Sequence, residues 1–233
     1  ANSDTQADDY FNTVLYTGNE SSRSIAVGFQ SDWVWIKNRE TTRYHRVYDS
    51  SRGATKALYT NSVDDEETNA TELTAFNSNG FTLGAGVGSN ENNDTFVSWN
   101  WKANGGTTVT NEAGSIDSTV QANTDAGFSI VTYTGTGSNA TVGHGLGVAP
   151  SMVIVKQRST TTSWAVYHSG LTSSAYVINL NLTSAESGAN TVFWNSTAPT
   201  STVFSLGTGT DANASDATAV AYVFADVEGY SKF

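Results

Sequence analysis

The sequence predicts an all-β chain built as two tandem, duplicated β-sandwich modules. Three observations predict it. First, the 233 residues are 11% aromatic and only 14% charged, a composition that can bury a core and is unlike that of disordered chains. Second, runs of four to eight residues rich in Val, Ile, Thr, Tyr and Trp are separated by Gly, Asn, Ser and Asp clusters, the pattern of short strands and turns. Third, the second half repeats the motifs of the first in the same order, and a repeat of this length reads as a repeated structural unit.

In the first module the strand-like runs lie near 12–17, 24–28, 32–38, 43–49, 56–60, 80–83 and 95–102. Phe11–Gly18 matches Phe128–Gly135, and Val27–Arg39 matches Leu146–Arg158. Val47-Tyr48 matches Val166-Tyr167, and Asn77-Ser78 answers Asn195-Ser196. Phe81–Gly84 answers Phe204–Gly207, and Val97–Trp101 answers Val220–Phe224. These matches divide the chain into a first sandwich over 1–106, a linker over 107–113 and a second sandwich over 114–233. Gly105-Gly106-Thr107-Thr108 marks the joint. No run carries a sustained apolar stripe of helical period. Val63 to Leu73 is the best helix candidate, with acids at 64–67 where a first turn favours them, and reads equally as a polar loop.

Alternation assigns faces. Trp33 and Trp35 point to one side of their run, Val34 and Ile36 to the other. Apolar residues on both faces predict a central strand covered on both sides. Trp99 and Trp101 are expected on a core face, with Ser98 and Asn100 turned away from it. All four tryptophans therefore read as core residues and not as sugar-stacking platforms.

Composition excludes several function classes. There is no Cys, so a disulfide scaffold, a thiolate metal site and a cysteine nucleophile are excluded. Eleven basic residues against 22 acidic give a net charge of −11, which argues against nucleic-acid binding, since phosphate contacts require Lys and Arg. No stretch is long and apolar enough for a transmembrane helix. The polar N-terminus lacks Met and reads as a processed or excised end. Seven Asn-x-Ser/Thr triplets occur in a chain so rich in these residues that chance accounts for most.

The candidate contacts are few. Tyr44, His45 and Tyr48, with Trp164 and Tyr167 at matching places, are the more exposed aromatic candidates for glycan or subunit contact. The plainer alternative is a half-buried strand. Lys37 and Arg39 recur as Lys156 and Arg158 at corresponding strand ends, where they would grip an acidic glycan or a neighbouring subunit, or simply reach solvent. Arg39, Arg43, Arg46 and Arg52 form a basic cluster in an acidic chain. The three histidines, 45, 144 and 168, have no metal-ligand spacing. Gly84–Gly88 lacks the Lys and the following helix of a phosphate loop and reads as a turn. Asp49, Glu72 and Asp94 are conceivable members of a glycosidase carboxylate pair, but nothing in their spacing pairs them. No catalytic residue, metal or cofactor is expected.

Phe11–Gly18, Val27–Arg39, Ser51–Lys56 and Ser98–Gly106, with Gly143–Pro150 and Val227–Phe233 in the second module, resemble a repeated module of marine tailed-phage structural proteins, cyanophage-like tail fibres and other large virion proteins. The resemblance runs from about Tyr10 to the end. It implies a non-enzymatic virion-surface or tail-fibre module, in a virion or extracellular setting, that contributes to assembly or host attachment. Its partners would be other virion or fibre subunits and a host-surface glycan, with no nucleic acid and no membrane insertion, and it would act as a homo-oligomer. Other readings are a lectin-like carbohydrate-binding module, a polysaccharide-degrading tail component, and a self-assembling extracellular fibre subunit exchanging its N-terminal segment, Ala1 to Asp9, between neighbours.

Overall fold

The computed structural model describes residues 7–188 and 191–233. They form eighteen strands and two one-turn helices: β1 (Phe11–Thr17), β2 (Arg23–Ala26), β3 (Trp33–Asn38), β4 (Arg46–Asp49), β5 (Lys56–Tyr59), β6 (Glu67–Thr68), β7 (Leu73–Asn77), β8 (Gly80–Leu83), α1 (Val87–Asn90), β9 (Thr95–Trp101), β10 (Val109–Asn111), β11 (Ser118–Asn123), β12 (Phe128–Thr134), β13 (Ala140–Gly143), β14 (Met152–Gln157), β15 (Ala165–His168), β16 (Ile178–Asn179), β17 (Val203–Leu206), α2 (Thr210–Asn213) and β18 (Thr218–Phe224). The chain is thus nearly all β. The stretch considered for a helix, 63–73, forms none: it passes through β6 and enters β7 at Leu73. Its acids lack the apolar stripe that would anchor a helix to a core.

Two compact units are present. The first comprises 7–62 and 66–106, the second 107–233 with Val63–Asp65. In the first unit a six-stranded sheet has the order β1-β9-β3-β4-β5-β6, beside a three-stranded sheet β2-β8-β7. In the second, a seven-stranded sheet runs β10-β11-β12-β18-β14-β15-β16, beside the pair β13-β17. The strand pairs are antiparallel, and their registers agree between units. Phe11 faces Trp101, Trp101 faces Trp33, and Trp33 faces Asp49. In the second unit Phe128 faces Phe224, Phe224 faces Met152, and Met152 faces His168. Arg23 lies opposite Leu83 as Ala140 lies opposite Leu206.

Each unit has its own hydrophobic core. In the first, Tyr16, Val34, Ile36, Tyr48, Tyr59 and Phe96 of the large sheet meet Ile25, Leu73, Phe81 and Leu83 of the small one. In the second, Val131, Tyr133, Val153, Val155, Tyr167 and Val223 meet Val142, Phe204 and Leu206, with Trp194 filling the remainder. Side-chain alternation places Ser98 and Asn100 with Phe96 on the inner face of β9, and both are fully buried. The expectation of an aromatic core face on β9 is therefore corrected. Trp99 and Trp101 are half-buried on the opposite face, as is Trp35, while Trp33 is buried. The inner polar pair is tolerated because it is hydrogen-bonded. Asn100 Nδ2 donates to Asn12 O (3.0 Å) and Ser98 Oγ (3.0 Å), and Ser31 Oγ donates to Asn100 Oδ1 (3.2 Å).

The glycine-rich segments are more than turns. Gly84–Gly88 leads into α1, and Gly207–Gly209 leads into α2. Gly18 and Gly135 close the ends of β1 and β12 against these helix ends. A Cβ on Gly18 would sit 2.0 Å from Glu91 O, and one on Gly135 would sit 2.3 Å from Ala214 O. No side chain fits at either place.

Candidate functional site

A concavity lies where β3 turns into β4. Asn38, fully buried at the end of β3, organises the turn. Its Oδ1 accepts from the backbone N–H of Glu40 (2.8 Å) and Thr41 (3.0 Å), and its Nδ2 donates to Asp94 Oδ2 (2.7 Å). Such a side-chain-to-backbone turn needs a short amide or acid at this position. The chain then runs through 39–45 and re-enters the sheet at Arg46. Asn61 holds that re-entry by accepting from His45 N (2.8 Å), and His45 O accepts from Thr60 N (3.0 Å).

Lys37, Thr41, Thr42, Arg43, Tyr44, His45, Arg46 and Asn61 surround a space of about 620 Å³. Lys37 Nζ donates to the backbone carbonyls of Asn38 and Thr41 and, among the described residues, pairs with no carboxylate. Arg43 pairs with Glu91 through Nη2 (2.5 Å) and Nε (3.2 Å). Arg46 lies over the Tyr59 ring at 5.4 Å, donates to Gly88 O (3.2 Å), and has Glu72 at 4.0 Å. Tyr44 is 46% exposed, and its ring is 4.7 Å from that of Tyr59. Burial, and then the Lys37 charge, hold His45 below the usual imidazole range, so it stands neutral at pH 7 as a hydrogen-bonding group.

The residues singled out from the sequence are dispersed. Lys37, Tyr44 and His45 share the pocket, and Arg39 is exposed on the same turn. Tyr48 is not an exposed contact: it is fully buried among the core residues of the first unit, and burial, with Glu72 nearby, pushes its phenol well up. Trp164 and Tyr167 are corrected likewise. Trp164 has no exposed surface and stacks near Tyr222 (6.5 Å), and Tyr167 meets Trp194 edge-on at 6.0 Å. The reason is that the stretch 164–167, entering and running along β15, is apolar and buried on both faces. Lys156 does not reach solvent as a strand-end lysine would: it is buried, with Nζ donating to Gln157 O (2.9 Å) and Val63 O (3.3 Å). Arg158 is half-buried in the second unit, where its backbone N–H donates to Thr218 O (2.7 Å).

The basic cluster is also divided. Arg52 is buried between Asp49 and Glu66, bonded to both, so its charge is spent inside the fold. The candidate carboxylates are similarly engaged. Asp49 holds Arg52, Asp94 holds Asn38, and Glu72 accepts from Gly88 N (3.1 Å) and Ser89 Oγ. Among the described residues no group of three or more His, Asp and Glu is placed to hold a metal. A smaller recess of about 260 Å³ is lined by Trp35, Trp99 and Trp101. The sequence reading treated all three as core, whereas they are half-buried, because β9 and β3 present them together on the face opposite the core. Thr41, Thr42 and Asn61 were not singled out from sequence. A signal for Asn61 existed in Asn181, which holds Trp164 N (2.9 Å) as Asn61 holds His45 N.

A family model described as a domain of unknown function, DUF7483, matches residues 6–233. Neither a curated protein nor a solved structure matches the chain.

Proposed function

The chain belongs to the DUF7483 family, and we propose that it is a non-enzymatic surface module of a virion or tail fibre, built as two duplicated β-sandwiches and contributing to assembly or host-surface attachment. The observation that carries this reading is the shared order and register of β1-β9-β3-β4-β5 and β12-β18-β14-β15-β16. A one-residue slip in either sheet would invert every side chain, so common registers over five strands favour descent of both units from one ancestor.

The candidate carboxylates, by contrast, are not repeated. Asp49 stands where the second unit has His168, and Asp49 and Asp94 are held within the fold by Arg52 and Asn38. A scaffold that is repeated while these acids are not suits a spacer and display element better than a catalyst. The setting rests on the resemblance of Phe11–Gly18, Val27–Arg39 and Ser98–Gly106 to motifs of tailed-phage structural proteins, and the net charge of −11 suits a soluble particle surface.

Immunogold labelling of intact purified virions from a phage encoding the chain tests the proposal. Label on tail or capsid surfaces is expected. A chain found only free in the lysate would overturn it. A reducing-end assay on host polysaccharides should give no product, and sustained product release would favour the degrading reading instead.

A further inference from the structure

The geometry points to the pocket between Lys37 and Asn61 as a site for an acidic saccharide, one bearing carboxylate or sulfate groups, present in the first unit and absent from the second. This deepens the attachment reading above and rests on it.

Three features combine. The first is charge. In a chain of net −11, Lys37, Arg43, Arg46 and the neutral His45 line one concavity. Among the described residues, Arg43 and Arg46 are the cations there with carboxylate neighbours, Glu91 and Glu72. Lys37 is anchored by two carbonyls and keeps its third N–H, and Arg43 grips Glu91 through Nε and Nη2 and keeps Nη1. Charged donors held in place by the fold bind anionic oxygens well, since little side-chain freedom remains to be lost. The second is the exposed Tyr44 ring, braced by Tyr59 at 4.7 Å. A fixed aromatic face packs against the C–H face of a pyranose ring. The third is the neighbouring hydroxyl and amide groups of Thr41, Thr42 and Asn61, which match sugar hydroxyls. The space of about 620 Å³ is of the size that small ligands occupy. An acidic peptide would need the charges but would have less use for the tyrosine face.

The second unit shows that the fold does not require these side chains. At the same register positions Arg43, Tyr44, His45 and Arg46 are replaced by Thr162, Ser163, Trp164 and Ala165. The backbone frame persists: Asn181 holds Trp164 N (2.9 Å), and Leu180 N donates to Trp164 O (3.2 Å). The same scaffold closes over a buried tryptophan in one unit and opens a cationic pocket in the other.

Calorimetric titration of the full chain tests this with four probes: a galacturonate hexasaccharide, a sulfated dextran of equal length, the neutral dextran and polyglutamate. Binding of at least one acidic sugar is expected, weakening with salt, and the two acidic probes distinguish carboxylate from sulfate. Lys37→Gln and Tyr44→Ala should each weaken it roughly tenfold, about 1.4 kcal/mol, with thermal midpoints unchanged. Lys37→Arg should retain most of the affinity, and Ser163→Ala in the second unit should leave it unaltered. The inference is overturned if neither acidic sugar binds, if the neutral dextran or polyglutamate binds as well, or if both pocket variants bind like the parent chain. Virion-located protein that binds no acidic sugar would sink this inference alone. Acidic-sugar binding by a chain absent from virions would sink the attachment reading alone.

Discussion

Lys156 illustrates how far a residue's surroundings can depart from what its type suggests. A lysine at a strand end ordinarily reaches water, yet this one is buried and donates to backbone carbonyls. Burial lowers its pKa from 10.5 to about 8, and the charges of Asp65, Asp211 and Asp64 only partly oppose the shift. With the folded value below the unfolded one, stability is fullest above pH 10.5 and is lost as pH falls from 10.5 to about 8. Relative to Lys156→Met, the parent chain should therefore gain stability between pH 8 and 10, by at most about 3 kcal/mol. Tyr16 and Tyr133, whose phenols burial pushes far up, act oppositely above pH 10 but cancel in the comparison. Urea unfolding of both proteins across this range checks it, and a difference that stays flat would refute the buried-lysine account.

Among the elements, α1 and α2 show what the glycine-rich segments do. Each is a single turn, too short to be stable on its own, and each ends on a fully buried asparagine. Asn90 accepts from Asn19 N (3.0 Å) and donates to Gly84 O (2.7 Å) and Ser21 O (2.8 Å). Asn213 accepts from Thr136 N (2.8 Å) and donates to Gly207 O (2.7 Å) and Ser138 O (2.6 Å). A tyrosine completes each lock, Tyr16 Oη donating to Ser89 O (2.7 Å) and Tyr133 Oη to Ala212 O (2.6 Å). Asn90→Ala and Asn213→Ala each remove these three hydrogen bonds from a fully buried amide and should cost about 2–4 kcal/mol, read as a lowered urea midpoint at unchanged m. Within the strands, alternation in the sequence correctly paired Trp99 with Trp101 and Ser98 with Asn100. It did not reveal which pair faces the core. That depends on β9 lying between β1 and β3, where Phe96 and the inner polar pair meet Val34 and Ile36.

For the whole molecule, the separate cores carry a consequence. One core lies within Tyr16–Phe96 and the other within Ile116–Ala225, while 104–110 is continuously exposed. A protease site inserted between Gly105 and Gly106, both at positive φ, should be cut rapidly and leave two fragments that each keep a β-type far-UV spectrum and a cooperative thermal transition. Loss of either transition would show that the units do not fold separately.

Composition and alternation alone determined that this chain is nearly all β, because strand and turn preferences are local and recur every few residues. They also exposed the repeated motifs, because repetition needs no three-dimensional knowledge to be seen. The tertiary structure alone decided which polar and aromatic residues are accessible. Tyr44 and Tyr48 lie four residues apart in one run, yet Tyr44 is half-exposed at a pocket rim and Tyr48 is sealed in the core. Lys37 and Lys156 occupy matching strand ends, yet one lines the pocket and the other is buried. Accessibility is set by what packs against a side chain from elsewhere in the chain, and no local pattern encodes that.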